Sequence, residues 1–115
     1  MTIRIFHNPR CSKSRATLAL LQEQGFEPDI THYLDSPPDA VELGSILQKL
    51  GLTARELMRK GEAEFREQGL ADESLTEQQL IAAMVASPRL IERPIVLANG
   101  RAAIGRPPES VLDIL

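Results

Sequence analysis

The chain has 115 residues, of which 43% are hydrophobic and 25% are charged, and its formal net charge is −3. This length and composition predict one globular domain over residues 1–115, and the negative charge does not favour nucleic acid or an anionic membrane as a partner. A single cysteine with two histidines offers neither a disulfide nor the spacing of a zinc site, so we expect no metal. No signal peptide or membrane-spanning run is evident, which makes the cytoplasm the expected location.

Two short strands and a helix are predicted at the start of the chain. Apolar and polar residues alternate over 2–6 and again over 28–34, which is typical of strands. Between them, residues 12–24 are rich in helix formers and end at Gly25, a residue that favours a left-handed helix terminus. This order predicts a βαβ unit with a right-handed crossover, and His32 as a half-buried histidine in its second strand.

A helical insertion is predicted for about residues 39–87. Leucine and isoleucine recur at helical spacing over 43–50 and stop at Gly51. Thr53 and Thr76 are each followed three residues later by a glutamate or glutamine, which is the spacing of a capping box at a helix start. The middle of the chain is therefore expected to be helical.

A β-hairpin and a short helix are predicted at the end of the chain. The apolar runs 94–98 and 101–104 flank Asn99-Gly100, the strongest two-residue signal for a hairpin of antiparallel strands. A helix should follow over 110–115. The whole order predicts an α/β fold with a mixed four-stranded sheet. The side chains expected to face inward from the last helix are Val111, Leu112 and Leu115.

The single cysteine, Cys11, lies at the predicted strand-to-helix junction in the stretch HNPRCSKSR. A thiol reacts as the thiolate, and a helix N-terminus or nearby cations favour that form. His7, Arg10, Lys13 and Arg15 are all within a few residues. Such a turn can also hold an anion, because oriented main-chain N–H groups beside an arginine bind oxyanions. A buried, inert cysteine is the alternative, but these polar neighbours favour a reactive thiol.

Two familiar cysteine motifs are missing around Cys11. Ser14 stands where a Cys-x-x-Cys motif has its second thiol, and Arg15 gives Cys-x3-Arg where small phosphatases have Cys-x5-Arg. A redox reaction at this thiol would therefore need a resolving thiol from another molecule. His7 either orients or stabilises the thiolate or is a polar residue of the loop.

Distant arginines are candidates to complete an oxyanion site, although each alone could be a solvated surface charge. Arg93 directly precedes Pro94, which heads an apolar run, and a proline at that place is tolerated as the first residue of a strand. Arg59 and Arg106 are the other two candidates. The residues predicted to line the substrate site are Asn8, Ser12, Ser14, Arg15 and Pro94.

Several motifs resemble, in order and spacing, the glutaredoxin-linked arsenate reductases. They are H-N-P-x-C-S-x-S-R after the first strand, L-M-R-K-G-E, E-R-P-I-V and I-G-R-P-P-E, and they span nearly the whole chain. The resemblance implies a thioredoxin-like fold with a helical insertion and a cis peptide bond at Pro94 facing the cysteine. It also implies that Cys11 is the catalytic residue and that His7 favours its thiolate. The arginines implied to hold arsenate and its intermediates are Arg59, Arg93 and Arg106.

The resemblance further implies a reaction in which the thiolate attacks arsenate, glutathione reduces the sulfur–arsenic ester, and glutaredoxin resolves the mixed disulfide as arsenite leaves. Glutathione would be a co-substrate, no cofactor would be tightly bound, and we expect a monomer. Two alternatives stay open: an interaction module related to Spx-like regulators that bind RNA polymerase, and a thiol oxidoreductase acting on another substrate. Ser14 disfavours the regulators because they typically carry a Cys-x-x-Cys switch.

Overall fold

A computed structural model describes residues 2–115 of the chain. The contacts divide it into two units, of which one comprises Met1–Ser36 with Arg93–Leu115 and the other Pro37–Glu92. The first unit carries the β-sheet, and the second is helical. The prediction of one domain over residues 1–115 stays a prediction.

The first unit is built on a four-stranded sheet and one long helix. Its strands are β1 (Ile3–Phe6), β2 (Asp29–Thr31), β3 (Ile95–Ala98) and β4 (Arg101–Ile104), and helix α1 (Ser12–Glu23) connects β1 to β2. The strand order is β2-β1-β3-β4, with β1 parallel to β2 and the other neighbours antiparallel. The predicted α/β fold with a mixed four-stranded sheet is confirmed, and its arrangement is thioredoxin-like.

The core of this unit joins the central strands to α1 and to the C-terminal segment. Each buried aliphatic side chain of this kind contributes about 1.5–3 kcal/mol relative to an exposed one. Because β1 and β3 are the inner strands, their side chains meet apolar residues from both ends of the chain. The buried cluster contains Ile3, Ile5, Leu21, Val96, Ala98, Val111 and Ile114.

The C-terminal segment forms a 3-10 helix, Pro108–Ile114, where an α-helix was predicted. A 3-10 helix has three residues per turn, so residues three apart lie on the same side. Val111 and Ile114 are accordingly buried, whereas Leu112 is 37% exposed. The prediction that Leu112 faces inward was wrong for this reason, while Leu115 packs against the core as expected.

Strand β2 is shorter than predicted, and this changes the place of His32. The main-chain oxygen of His32 accepts two amide hydrogen bonds from the turn that follows, so the chain leaves the sheet after Thr31. His32 is exposed, and its prediction as a half-buried strand residue was wrong. Tyr33 is buried instead and packs against Phe6, with 6.4 Å between the ring centroids.

The hairpin between β3 and β4 turns at Asn99-Gly100, as predicted. Both residues have positive φ, 56° and 71°, which is the backbone that a two-residue turn of type I′ requires. The hairpin also supports the C-terminus, because the Asn99 side-chain amide donates to the Ile114 oxygen at 2.9 Å.

The second unit contains four α-helices and a short 3-10 turn. The helices are α2 (Ala40–Leu50), α3 (Ala54–Leu57), α4 (Ala63–Glu67) and α5 (Glu77–Ala86), and the turn is Pro88–Leu90. Helices α2 and α5 pack on each other through buried leucine, isoleucine and methionine side chains. Within residues 2–115, no helix combines the length and apolar character needed to cross a membrane.

Polar side-chain caps begin helices α2, α3 and α5 of this unit. Thr53 and Thr76 each accept a hydrogen bond from the amide three residues later, and the Glu56 and Gln79 side chains accept from the threonine amides in return. Both predicted capping boxes are confirmed. A side-chain cap of this kind stabilises a helix by about 1 kcal/mol, which matters most for the four-residue α3.

Candidate active site

Cys11 is the N-cap residue of α1. Its φ and ψ of −96° and 123° are extended, and its main-chain oxygen accepts the first helical hydrogen bond from Arg15 at 3.0 Å. The first amides of a helix have no carbonyl partner within it and carry partial positive charge. The residue is 8% exposed. The thiol therefore lies at the positive end of a helix, as the sequence predicted.

Arg106 reaches this thiol from the far end of the sequence. Its Nη2 lies 3.6 Å from Cys11 Sγ, and its Nε donates a hydrogen bond to the main-chain oxygen of Arg93 at 2.8 Å. A hydrogen bond from a guanidinium is stronger when the acceptor carries negative charge. The fork of Arg106 thus presents one N–H to the sulfur while a second N–H holds the side chain in place.

The peptide bonds after Arg93 and Arg106 are both cis, so each arginine precedes a cis proline. The cis bond at Pro94 that the motif resemblance implied is confirmed. The second, at Pro107, was not predicted, because the proline pair 107–108 gives no local signal that separates cis from trans.

Gly105 allows the close approach of the chain that carries Arg106. Its amide donates to the Pro94 oxygen at 3.0 Å. A Cβ atom at this position would clash with Thr17 Oγ1 on α1 and lie 2.8 Å from Pro94 Cγ. A larger residue fits there only if the Thr17 and Pro94 side chains move. In the sequence, Gly105 stood out only as part of the I-G-R-P-P-E motif. The steric reason for a glycine comes from the packing of the segments that carry Gly105, Thr17 and Pro94.

His7 and Ser14 form a buried hydrogen-bonded pair next to the cysteine in the sequence. Ser14 Oγ lies 2.7 Å from His7 Nδ1 and accepts a hydrogen bond from the Asn8 amide at 3.0 Å. Burial, and then the nearby charges of His32 and Arg15, lower the pKa of His7 below its usual value of 6.5. These surroundings favour the neutral imidazole over the imidazolium.

This lowered pKa makes the stability of the chain depend on pH. As the pH falls, His7 takes up its proton at a higher pH in the unfolded chain than in the folded one. The free energy of unfolding should therefore fall as the pH drops below about 6.5, whereas above that pH the contribution of His7 to stability is fully present. Urea unfolding at a series of pH values should show a shallower fall in His7→Asn than in the wild type. His32→Gln should keep most of the slope, because burial is the main cause. Equal slopes in His7→Asn and the wild type would contradict the assignment.

The other predicted residues of the loop make local hydrogen bonds. Asn8 Oδ1 accepts from the Arg10 amide at 3.0 Å, and Arg15 Nη1 donates to the Pro9 oxygen at 2.9 Å. Ser12 is exposed on the first turn of α1. Both partners of each of these hydrogen bonds belong to the loop and the first turn of α1. The roles of these residues in substrate binding stay predictions.

Arg59 belongs to the second unit, where it follows α3. Its amide donates to the Leu90 oxygen at 2.7 Å, and its guanidinium pairs with Glu62 at 2.5 Å and with Glu92 at 3.8 Å. Glu62 also pairs with Arg89 at 3.2 Å. The first unit thus brings together Cys11 and the segments of the other two arginines, whereas the place of Arg59 in an oxyanion site stays a prediction.

The groups around the sulfur suit an anion. The Arg106 guanidinium contacts the Cys11 sulfur, and Cys11 itself lies at the N-terminus of α1. Among residues 2–115, no three His, Cys, Asp or Glu side chains are grouped to hold a metal ion. A thiol among such donors can attack an electrophilic oxyanion and then hold the product in place.

The fold and the cysteine define a class, the thioredoxin-like proteins with one thiol at the start of the first helix. Within it, the chain belongs to the ArsC family, whose model matches residues 6–114. The family predicted from the motifs is confirmed.

Several relatives match the chain over nearly its whole length. It is 58% identical to an uncharacterized protein of Escherichia coli (strain K12), YfgD, with 98% of this chain and 96% of that protein covered. It is 52% identical to an arsenate reductase of Neisseria meningitidis serogroup B, over 98% of this chain and 97% of that protein. The solved structure of an arsenate reductase from Vibrio cholerae is 51% identical and superposes with a TM-score of 0.97, over 100% of this chain and 98% of that one.

Proposed function

We propose that this chain is an arsenate reductase in which the Cys11 thiolate attacks arsenate. The observation that carries the proposal is the 3.6 Å contact between Arg106 Nη2 and Cys11 Sγ at the N-terminus of α1. Such donors stabilise both a thiolate and a tetrahedral oxyanion. The relatives from Neisseria and Vibrio that bear this name support the same assignment.

The proposed reaction couples two thiols to the reduction of one arsenic atom. The Cys11 sulfur forms a bond to arsenic, and an arsenate oxygen leaves as water after protonation. The sulfur of glutathione then bonds to the Cys11 sulfur, and the electron pair of the sulfur–arsenic bond stays on arsenic. Two thiols become one mixed disulfide while arsenic(V) becomes arsenic(III), and arsenite is released.

The number of cysteines requires an external thiol, and the resemblance to the glutaredoxin-linked reductases suggests which one. The chain has one cysteine, so the thiol that completes the reduction comes from another molecule. We assign glutathione as the co-substrate and glutaredoxin as the protein that restores Cys11, with no tightly bound cofactor. Arg59, Arg93 and Arg106 are assigned to hold the oxyanion. A catalytic thiol of this kind must stay reduced, which makes the cytoplasm its proposed location.

The test is arsenite formation by the purified chain with arsenate, glutathione and glutaredoxin, measured by separating arsenite from arsenate. Steady turnover is expected with both reductants. Omission of glutathione should abolish it, and omission of glutaredoxin should reduce it to about one arsenite per chain, because the mixed disulfide persists. Arsenite at no more than the protein-free background would overturn the function. Equal rates with and without glutaredoxin would overturn only the assignment of that partner.

A further inference from the structure

The hydroxyl of Ser14 has two polar neighbours that differ in what they can do. The Asn8 main-chain nitrogen lies 3.0 Å from Ser14 Oγ, and His7 Nδ1 lies 2.7 Å from it. A main-chain N–H can only donate, so the serine oxygen accepts from Asn8. The remaining question is where the hydroxyl hydrogen of Ser14 goes.

The burial of the pair answers this question. Ser14 has none of its surface exposed, so its hydroxyl cannot donate to bulk water, and an unused buried donor would cost free energy. His7 Nδ1 is an imidazole nitrogen at a good distance for accepting this hydrogen. A nitrogen that accepts a hydrogen bond carries no proton, so the ring proton of His7 must be on Nε2.

We propose that Ser14 is a positioning residue that fixes His7 as the neutral tautomer with its proton on Nε2. The Asn8 amide uses one lone pair of the serine oxygen, and His7 Nδ1 is the acceptor within reach of the hydroxyl hydrogen. The sequence counted Ser14 among the substrate-binding residues, and this geometry assigns its hydroxyl to His7 instead.

The charges around His7 act in the same direction. The ring of His32 lies 6.1 Å from that of His7, centroid to centroid. Both His32 and the Arg15 guanidinium disfavour a positive charge on the His7 ring. Together with burial, these groups lower the pKa of His7. The positive groups at the thiol would then be Arg106 and the start of α1 rather than an imidazolium. For catalysis, which rests on the proposed function, His7 would offer an N–H donor at Nε2 and no base at Nδ1.

The test is the protonation of the His7 ring, read by long-range 1H–15N NMR on the whole chain labelled in its histidines. At pH 7, Nδ1 should resonate as an unprotonated nitrogen and Nε2 as a protonated one. A proton on Nδ1, in the other neutral tautomer or in an imidazolium, would overturn the proposal. Because no arsenate is present, this outcome is independent of whether the chain reduces arsenate.

Variants separate the serine from its surroundings. Ser14→Ala should move the Nδ1 resonance towards the average of two tautomers and raise the pH at which His7 titrates, because the donor that favours the neutral ring is lost. Ser12→Ala, which removes an exposed hydroxyl from the same helical turn, should leave the His7 resonances as in the wild type. An unchanged tautomer in a folded Ser14→Ala chain would overturn the role of the serine, and the wild-type spectrum decides the tautomer if that variant does not fold.

Discussion

Replacing Cys11 with serine should reduce arsenite formation to the background of the assay, a loss of about three or more orders of magnitude. The substitution removes both the attack on arsenate and the formation of the mixed disulfide. A serine hydroxyl is not ionised near neutral pH and is a weak nucleophile without an adjacent base, and it cannot form the mixed disulfide with glutathione. The measurement is arsenite produced with glutathione and glutaredoxin, at the same protein concentration as the wild type.

The exchange of sulfur for oxygen is small, so the fold should persist. Circular dichroism and the thermal unfolding temperature of Cys11→Ser should match those of the wild type, since one atom changes at a residue that is 8% exposed. Substantial arsenite from a folded Cys11→Ser chain would show that another group is the nucleophile. If the wild type itself is silent while the same assay works with a known reductase, the alternative of an interaction module is favoured.

Replacing Arg106 with alanine should lower kcat/KM for arsenate by roughly two orders of magnitude. The guanidinium is a cation in contact with the Cys11 sulfur, at 3.6 Å. In the proposed reaction, negative charge passes there from the thiolate to the oxyanion. Arg106→Lys should recover only part of the rate. An ammonium keeps the charge but lacks the planar fork that reaches the sulfur and the Arg93 oxygen together.

Arg101→Ala is the matched control for this substitution. Arg101 is an exposed arginine of β4 that donates to the main-chain oxygen of Asp113 at 3.1 Å, and it has no part in the proposed site. Its loss should change kcat/KM by less than about threefold, because an exposed charge of this kind contributes little. An effect of the same small size for Arg106→Ala would mean that the contact with the sulfur does not serve the reaction.

Features that depend on neighbouring residues could be predicted from the sequence. The capping box of Thr53 with Glu56 and the Asn99-Gly100 turn are satisfied by groups within four residues, so their sequence signals suffice. The same holds for Cys11 at the start of α1, because alternation ends before it and helix formers follow it. The position of the thiol at a helix N-terminus is therefore a local property of the sequence.

Two local predictions were wrong because tertiary contacts decided the outcome. Leu112 has the spacing of an inward α-helical residue, but the C-terminal turn tightens to three residues per turn and buries Val111 and Ile114 instead. His32 continues an alternating pattern, yet its main-chain oxygen closes a turn after β2. The C-terminal sequence is compatible with an α-helix or a 3-10 helix, and the sequence around His32 with a strand or a turn. Local propensity alone does not decide between the two conformations in either case.

Short motifs and hydrophobic periodicity were enough to establish the family, the element order and the place of the thiol. The motifs also named Arg106 as a candidate for the site, but its contact with that thiol emerges only from the folded chain. Arg106 lies 95 residues from Cys11 in the sequence. It reaches the sulfur because Gly105, which has no Cβ atom, allows the chain after β4 to pack closely against Thr17 and Pro94. Such contacts depend on atoms from separate segments fitting together, and no local pattern encodes that fit.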